Sequence, residues 1–224
     1  MAEFVLLRYR IRERYRRVIA PITDFFARLG VHPDVLTLTG LVLSLLAGVL
    51  YSTGSFFWAG WVLLLAGVCD TLDGQLARKT NKQSAFGAFF DSTLDRYSDL
   101  FPYTGLAYHF AGGRGFTSLH GSETWAEPSP WTVIVIIMAI AGSFMVSYTR
   151  ARAEGLGVEC REGMMQRPER ITLLILGSFL GSIPVIGTVL MKCTLLVLAV
   201  SSNITAISRM IHTKNRLLAK NRGK

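Results

Sequence analysis

Long uncharged runs set the first constraint on this chain. Val35–Phe57, Phe56–Cys69, Trp131–Thr149, Ile171–Met191 and Cys193–Ser208 contain no Asp, Glu, Lys or Arg. A helix needs about 20 mostly apolar residues to cross the hydrocarbon of a bilayer, and several of these runs reach that length. Only 17% of the residues are charged, where soluble domains usually carry about 25%. A soluble α/β enzyme is the competing class, and run length decides against it. The chain is expected to be an all-α integral membrane protein.

Six spans fit the pattern, at about 35–53, 55–78, 86–111, 131–151, 171–183 and 186–210. Ahead of them, residues 3–29 mix arginines with Phe, Leu, Ile and Tyr at mostly helical spacing. That segment is expected to be an amphipathic helix lying in the interface of anionic lipid. Its long basic stretch, with no apolar core behind it until Val35, is unlike a signal peptide. Neither an internal repeat nor a second domain interrupts residues 1–224, so one membrane domain is expected.

The net charge of +9 raises the question of a nucleic-acid partner. The cations, however, gather just outside the expected spans. Arg8, Arg10, Arg12, Arg14, Arg16, Arg17 and Arg28 precede the first; Arg78, Lys79 and Lys82 separate the second from the third. Arg150, Arg152, Arg161, Arg167 and Arg170 lie between the fourth and fifth, and a last group runs from Arg209 to Lys224. The alternate loops are nearly free of them, with Arg114 alone in the Gly112–Pro130 loop. This is a topology signal. It places both termini and the two basic loops in the cytoplasm, with the chain multi-pass in the cell membrane and no nucleic acid as partner. His120, in that outer loop, is expected to be solvated. Cys69, Cys160 and Cys193 form no CxxC pair and are taken as small hydrophobes.

Against this apolar background stand five aspartates within Cys69–Asp99, at Asp70, Asp73, Asp91, Asp95 and Asp99. Carboxylates at the edge of a bilayer are costly unless compensated. Asp70 and Asp73 are three apart, Asp91 and Asp95 four apart, so each pair projects from one face of its helix. The short turn around Asn81–Ser84 makes the two helices antiparallel neighbours, and four carboxylates can converge. Arg78 and Arg96 are too few to neutralise them. Oxygen-only ligands then point to a hard divalent ion, Mg²⁺ or Mn²⁺. Gly74, Ala77, Gly87 and Ala88 leave room for close approach, and Arg78 offers a guanidinium to an anionic oxygen. The set suggests a metal-held diphosphate. Asp99, a further turn along, is expected only to pair with a nearby cation. A divalent-cation transporter is the rival from another class, but the carboxylates gather at one end instead of lining the spans.

The stretch D-T-L-D-G-Q-L-A-R, eight residues, then G-A-F-F-D-S-T-L-D resembles the motif of the CDP-alcohol phosphotransferase family, DxxDGxxAR(8)GxxxDxxxD. All its defining positions are present: Asp70, Asp73, Gly74, Ala77, Arg78, Gly87, Asp91 and Asp95. The resemblance implies a phosphatidyltransferase with two divalent ions, Mg²⁺ or Mn²⁺, and a homodimer. Asp70, Asp73 and Asp91 would hold the first ion, and Asp95 would join a second. Asp70, Asp73, Gly74, Ala77 and Arg78 would bind the CDP-lipid, CDP-diacylglycerol, with Arg78 at the diphosphate. Asp95 would be the catalytic base that takes the proton of the acceptor alcohol as CMP leaves.

A second constellation bears on the acceptor. Arg150, Arg152, Arg167 and Arg170 end one span and begin the next, on the side where the acids lie. Such arginines anchor spans anyway, yet they also suit a phosphorylated alcohol. "SYTRARAE", "QRPER" and "RMIHTKNR" are similar to stretches of the phosphatidylinositol phosphate synthases of actinobacterial type. That likeness implies inositol 1-phosphate as acceptor, with phosphatidylinositol phosphate as product, and adds Arg209 to the phosphate-binding candidates. Glycerol 3-phosphate, giving phosphatidylglycerol phosphate, is the alternative acceptor. Archaeal inositol-lipid synthases share part of the pattern, so archaetidylinositol phosphate is the alternative product.

Overall fold

The computed structural model describes residues 19–113, 128–160 and 163–222. The interfacial helix expected at 3–29 therefore lies largely outside the described residues, as does most of the Gly112–Pro130 loop with His120. The described part of the first helix, α1, covers 19–28. It is followed by α2 (Pro33–Ser52), α3 (Phe56–Lys79), α4 (Ala85–Phe110), α5 (Pro130–Gly155), α6 (Arg167–Gly181) and α7 (Gly187–Arg222). Among the described residues no strand is present.

Four of these helices are long and apolar enough to cross a membrane: α2, α3, α5, and α7 over Gly187–Ala219. The other two of the six expected spans fall short for different reasons. Helix α4 has 26 residues, but Asp91, Asp95, Arg96 and Asp99 interrupt its apolar character. Helix α6 has 15 residues, about 22 Å at the α-helical rise, against about 30 Å of hydrocarbon. Large apolar side chains face outward along the bundle, among them Trp58, Trp131, Val185 and Ile204. That surface suits lipid, where helices satisfy their own backbone hydrogen bonds.

The packing closes a ring. Helix α2 packs on α3 and α4, α3 on α6, α6 on α7, α7 on α5, and α5 back on α4. Helices α3 and α4 are thus not each other's main partners, as the short turn between them suggested; both lean on α2, and the space between them is open. Small residues make the tight crossings. A Cβ on Gly105 would overlap the Gly48 carbonyl where α2 meets α4, and one on Gly142 would crowd Ser202 and Asn203 where α5 meets α7. Close backbone approach of this kind is how helices associate without a hydrophobic driving force. The main core, with Tyr51, Phe56, Leu63, Leu106, Phe110, Ile136, Met191 and Leu195, fills the ring.

The helix ends that carry the acids are fixed locally. Lys79 ends α3 where Asn81 takes a positive φ of 53°, a conformation Asn tolerates better than most residues. Ser84 caps α4, its Oγ accepting from the Gly87 N–H at 2.9 Å. That cap satisfies an orphan donor of the first turn and sets where Asp91, Asp95 and Asp99 face. Pro33 starts α2 at its first turn, and His32 Nδ1 accepts from the Asp34 N–H at 3.4 Å.

Candidate active site

Asp70 and Asp73 lie on α3, and Asp91, Asp95 and Asp99 at four-residue intervals on α4. One carboxylate oxygen from each of Asp70, Asp91 and Asp95 falls within 4.8 Å of the others. Asp73 is turned aside: it is buried, and its Oδ2 accepts a 2.7 Å hydrogen bond from Thr37 Oγ1 of α2. Of the four acids expected at the metals, three are gathered and the fourth is held beside them.

Arginines from α6 enter this cluster. Arg167 Nη1 lies 2.6 Å from Asp70 Oδ1 and 2.9 Å from Asp95 Oδ1, and its Nε donates to Asp99 Oδ1 at 3.2 Å. Arg170 Nη2 donates to Asp99 Oδ2 at 2.9 Å. Ser143 Oγ of α5 donates to the same oxygen at 3.0 Å. Two arginines against five carboxylates leave an excess of negative charge in a half-buried setting. Asp91 Oδ1 is buried without a hydrogen-bond partner. A buried orphaned oxygen needs an explanation, and a hard divalent cation held by carboxylates supplies one. The donor set fits such an ion.

Two spaces flank the acids. A groove of about 730 Å³ runs between α2, α3 and α4. Its walls include Thr37, Asp73, Gly74, Ala77, Arg78 and Asp91. A Cβ on Gly74 would sit 3.7 Å from both terminal nitrogens of Arg78, so the guanidinium folds over the glycine. On the other side of the acids a smaller cavity, about 30 Å³, is bordered by Asp70, Asp95, Asp99, Arg167, Arg170 and Tyr103. Six motif positions, Asp73, Gly74, Ala77, Arg78, Gly87 and Asp91, thus share one groove, and the α6 arginines share a cavity with Asp70 and Asp95.

The remaining arginine candidates are not among the residues that border this cavity. Arg150 is exposed at the end of α5 and pairs with Glu154, Nε to Oε1 at 2.9 Å. Arg152 is exposed on the same turn. Arg209 of α7 is buried, and its Nη1 donates to the Val146 carbonyl at 2.6 Å. None of these three borders the cavity beside Asp95. Sequence reasoning passed over Thr37 and Ser143, single hydroxyls in apolar runs, and gave Arg167 no contact with the acids. The one signal for Thr37 is its place four residues after the helix-starting Pro33.

Comparison with known proteins agrees with this geometry. Residues 30–213 match the family model of the CDP-alcohol phosphatidyltransferases, and the chain belongs to that family. It is 38% identical to an archaetidylinositol phosphate synthase of Methanothermobacter thermautotrophicus over 202 residues, 90% of this chain and 91% of the relative. It is 33% identical to a phosphatidylinositol phosphate synthase of Mycobacteroides abscessus over 201 residues, 89% of this chain and 84% of the relative. The fold is similar to the crystal structure of the Mycobacterium tuberculosis phosphatidylinositol phosphate synthase with CDP-DAG bound. There the TM-score is 0.74 at 29% identity, covering 88% of this chain and 94% of that one. The same M. tuberculosis protein in complex with manganese and citrate matches with a TM-score of 0.72 at 30% identity, covering 86% of this chain and 87% of that one. This protein is therefore an all-α, multi-pass membrane enzyme of the phosphatidyltransferase type.

Proposed function

We propose that this protein transfers the phosphatidyl group of CDP-diacylglycerol to inositol 1-phosphate, giving phosphatidylinositol phosphate and CMP. The observation that carries the reading is the pair Arg167 and Arg170, brought to the cavity that borders Asp95. Guanidinium groups suit phosphate because their planar donors match its oxygens. The relatives in M. tuberculosis and M. abscessus are synthases of phosphatidylinositol phosphate, which agrees with that acceptor.

In this reading the groove between α2, α3 and α4 takes the CDP moiety. Gly74 and Ala77 let the ligand reach the backbone, and Arg78 meets the diphosphate. Asp70, Asp91 and Asp95, with Asp73 beside them, hold Mg²⁺ or Mn²⁺. Bound there, the ions offset negative charge on the diphosphate and on departing CMP. Asp95 accepts the proton of the acceptor hydroxyl. That oxygen bonds to the lipid-side phosphorus while the bond from this phosphorus to the oxygen carried off by CMP breaks. Such a base must stand within hydrogen-bond reach of the proton it removes. Thr37 steadies Asp73 through its 2.7 Å hydrogen bond.

Topology completes the proposal. All six helices of the ring cross the membrane, with α4 and α6 carried by their neighbours. The basic segments put both termini and the active site on the cytoplasmic side, residues 3–29 lie in the interface, and the enzyme works as a homodimer. A second reading concerns the tail alone: the 38% identity to an archaetidylinositol phosphate synthase favours archaeol in place of diacylglycerol.

The test is product identification. Purified protein with Mg²⁺ is given CDP-diacylglycerol or CDP-archaeol together with inositol 1-phosphate or glycerol 3-phosphate, and the lipid product is weighed by mass spectrometry. Phosphatidylinositol phosphate is the expected product. Phosphatidylglycerol phosphate as the sole product would overturn the acceptor assignment, and no product with any pair would overturn the proposed choice of substrates.

A further inference from the structure

Asp99 lies one turn beyond the family motif, and the reaction as set out above gives it no part. It is nevertheless the acid that both α6 arginines share. Its Oδ1 takes the Arg167 Nε–H and its Oδ2 the Arg170 Nη2–H, while Ser143 donates to Oδ2 from α5. Arg167 and Arg170 are three apart on α6, so both project from one face toward α4. Arg170 is only 3% exposed, and Asp99 is the only carboxylate among the described residues within ion-pair distance of it.

We propose that Asp99 is a positioning residue for the acceptor: it fixes the Arg167 and Arg170 guanidiniums side by side at the cavity bordering Asp95. This rests on the reading of the acceptor as a phosphorylated alcohol. An arginine stays charged even when buried, and a buried cation that loses its partner is strongly disfavoured. Without Asp99, Arg170 would have to leave the apolar wall formed by Tyr103, Ile171 and Leu174 or turn toward the metal-binding acids. Either move takes donors away from an incoming phosphate. Asp99 uses both of its oxygens for this, one per arginine. It takes one N–H of each guanidinium; Arg167 Nη1 meets Asp70 and Asp95 and Arg170 Nη1 meets the Met165 carbonyl, which leaves Arg167 Nη2 to the ligand.

The need for two oxygens separates positioning from plain cross-linking of α4, α5 and α6. Asparagine keeps the shape of aspartate but replaces one oxygen with an NH₂ group that donates. In Asp99→Asn one of the two arginines must lose its acceptor. Glutamate keeps both oxygens, and the cavity that Asp99 borders receives the added methylene.

The experiment measures CMP release from CDP-diacylglycerol with Mg²⁺ for the wild type, Asp99→Asn and Asp99→Glu. Inositol 1-phosphate and glycerol 3-phosphate serve as acceptors, and melting temperature in detergent is recorded alongside. Asp99→Asn is expected to raise the acceptor KM about tenfold or more, the scale of one lost charge-assisted hydrogen bond. The KM for CDP-diacylglycerol should stay within about twofold, and Asp99→Glu should recover much of the loss. Equal rises in both KM values, or a lower melting temperature with both KM values unchanged, would reduce Asp99 to a structural cross-link and overturn the proposal. If Asp99→Asn does not fold, Ser143→Ala removes only the hydrogen bond to Oδ2. A rise of a few-fold in acceptor KM then supports the proposal, and an unchanged value contradicts it. A wild-type enzyme that releases CMP with neither phosphorylated alcohol would overturn the parent reading, and Asp99's role with it. An active wild type with an indifferent Asp99→Asn overturns the Asp99 role alone.

Discussion

Of the five arginines proposed from the sequence for the acceptor phosphate, Arg150, Arg152, Arg167, Arg170 and Arg209, the structure brings two to the cavity beside Asp95 and leaves three outside it. At the start of α6, Arg167 and Arg170 turn inward and meet carboxylates of α3 and α4. At the end of α5 and along α7, Arg150 and Arg152 face outward, and Arg209 ties α7 to the Val146 carbonyl. Charge at the membrane edge is the same in both regions, while its surroundings differ. A guanidinium facing water contributes mainly to topology; one held among acids in a half-buried site can be drawn onto a phosphate.

The sharpest way to break this contrast is at Asp95, which borders the same cavity as the inward arginines. Asp95→Asn should lower kcat by about a hundredfold to ten-thousandfold, the usual worth of a general base, with the melting temperature in detergent nearly unchanged. Near-normal turnover would remove Asp95 from the chemistry. Next, Arg167→Ala should raise the acceptor KM by roughly a hundredfold, since charged hydrogen bonds to a phosphate are among the stronger ones, and should change the KM for CDP-diacylglycerol far less. Comparable effects on both substrates would mean that Arg167 serves the acid cluster as a whole.

The arginines outside the cavity, buried Arg209 and exposed Arg150, predict a different pattern. Arg209→Ala should destabilise the fold by about 1–3 kcal/mol, through loss of its hydrogen bond to the Val146 carbonyl and of the buried side chain's packing, with little change in acceptor KM. A selective rise in acceptor KM would bring Arg209 into the pocket. Arg150→Ala should be the mildest, because an exposed pair such as Arg150–Glu154 contributes about 0–1 kcal/mol; both KM values should move less than about threefold.

How far the sequence led follows from what kind of signal each residue carries. Asp70, Asp73, Asp91 and Asp95 stood out because carboxylates at helical spacing beside apolar runs have few cheap explanations. The inward and outward arginines could not be separated, because the topology signal and a phosphate pocket use the same residue type in the same segments. Thr37 and Ser143 were hidden for the opposite reason: one hydroxyl in an apolar helix usually bonds back to its own turn, as Thr39 does to the Val35 carbonyl. The helix ends shifted where span and helix differ. Helix α6 starts at Arg167 instead of 171, with Pro168 in its first turn, where a missing N–H is harmless. Helix α7 runs on to Arg222, past the apolar limit at 210.

The central claim is that the α6 arginines read the acceptor's phosphate beside Asp95. Its most direct test is the ratio of kcat/KM for inositol 1-phosphate to that for free inositol, followed by CMP release with Mg²⁺ in the wild type and in Arg167→Ala. The account predicts a large preference for inositol 1-phosphate in the wild type that collapses by at least about tenfold in the variant. A preference that survives the substitution intact would contradict it.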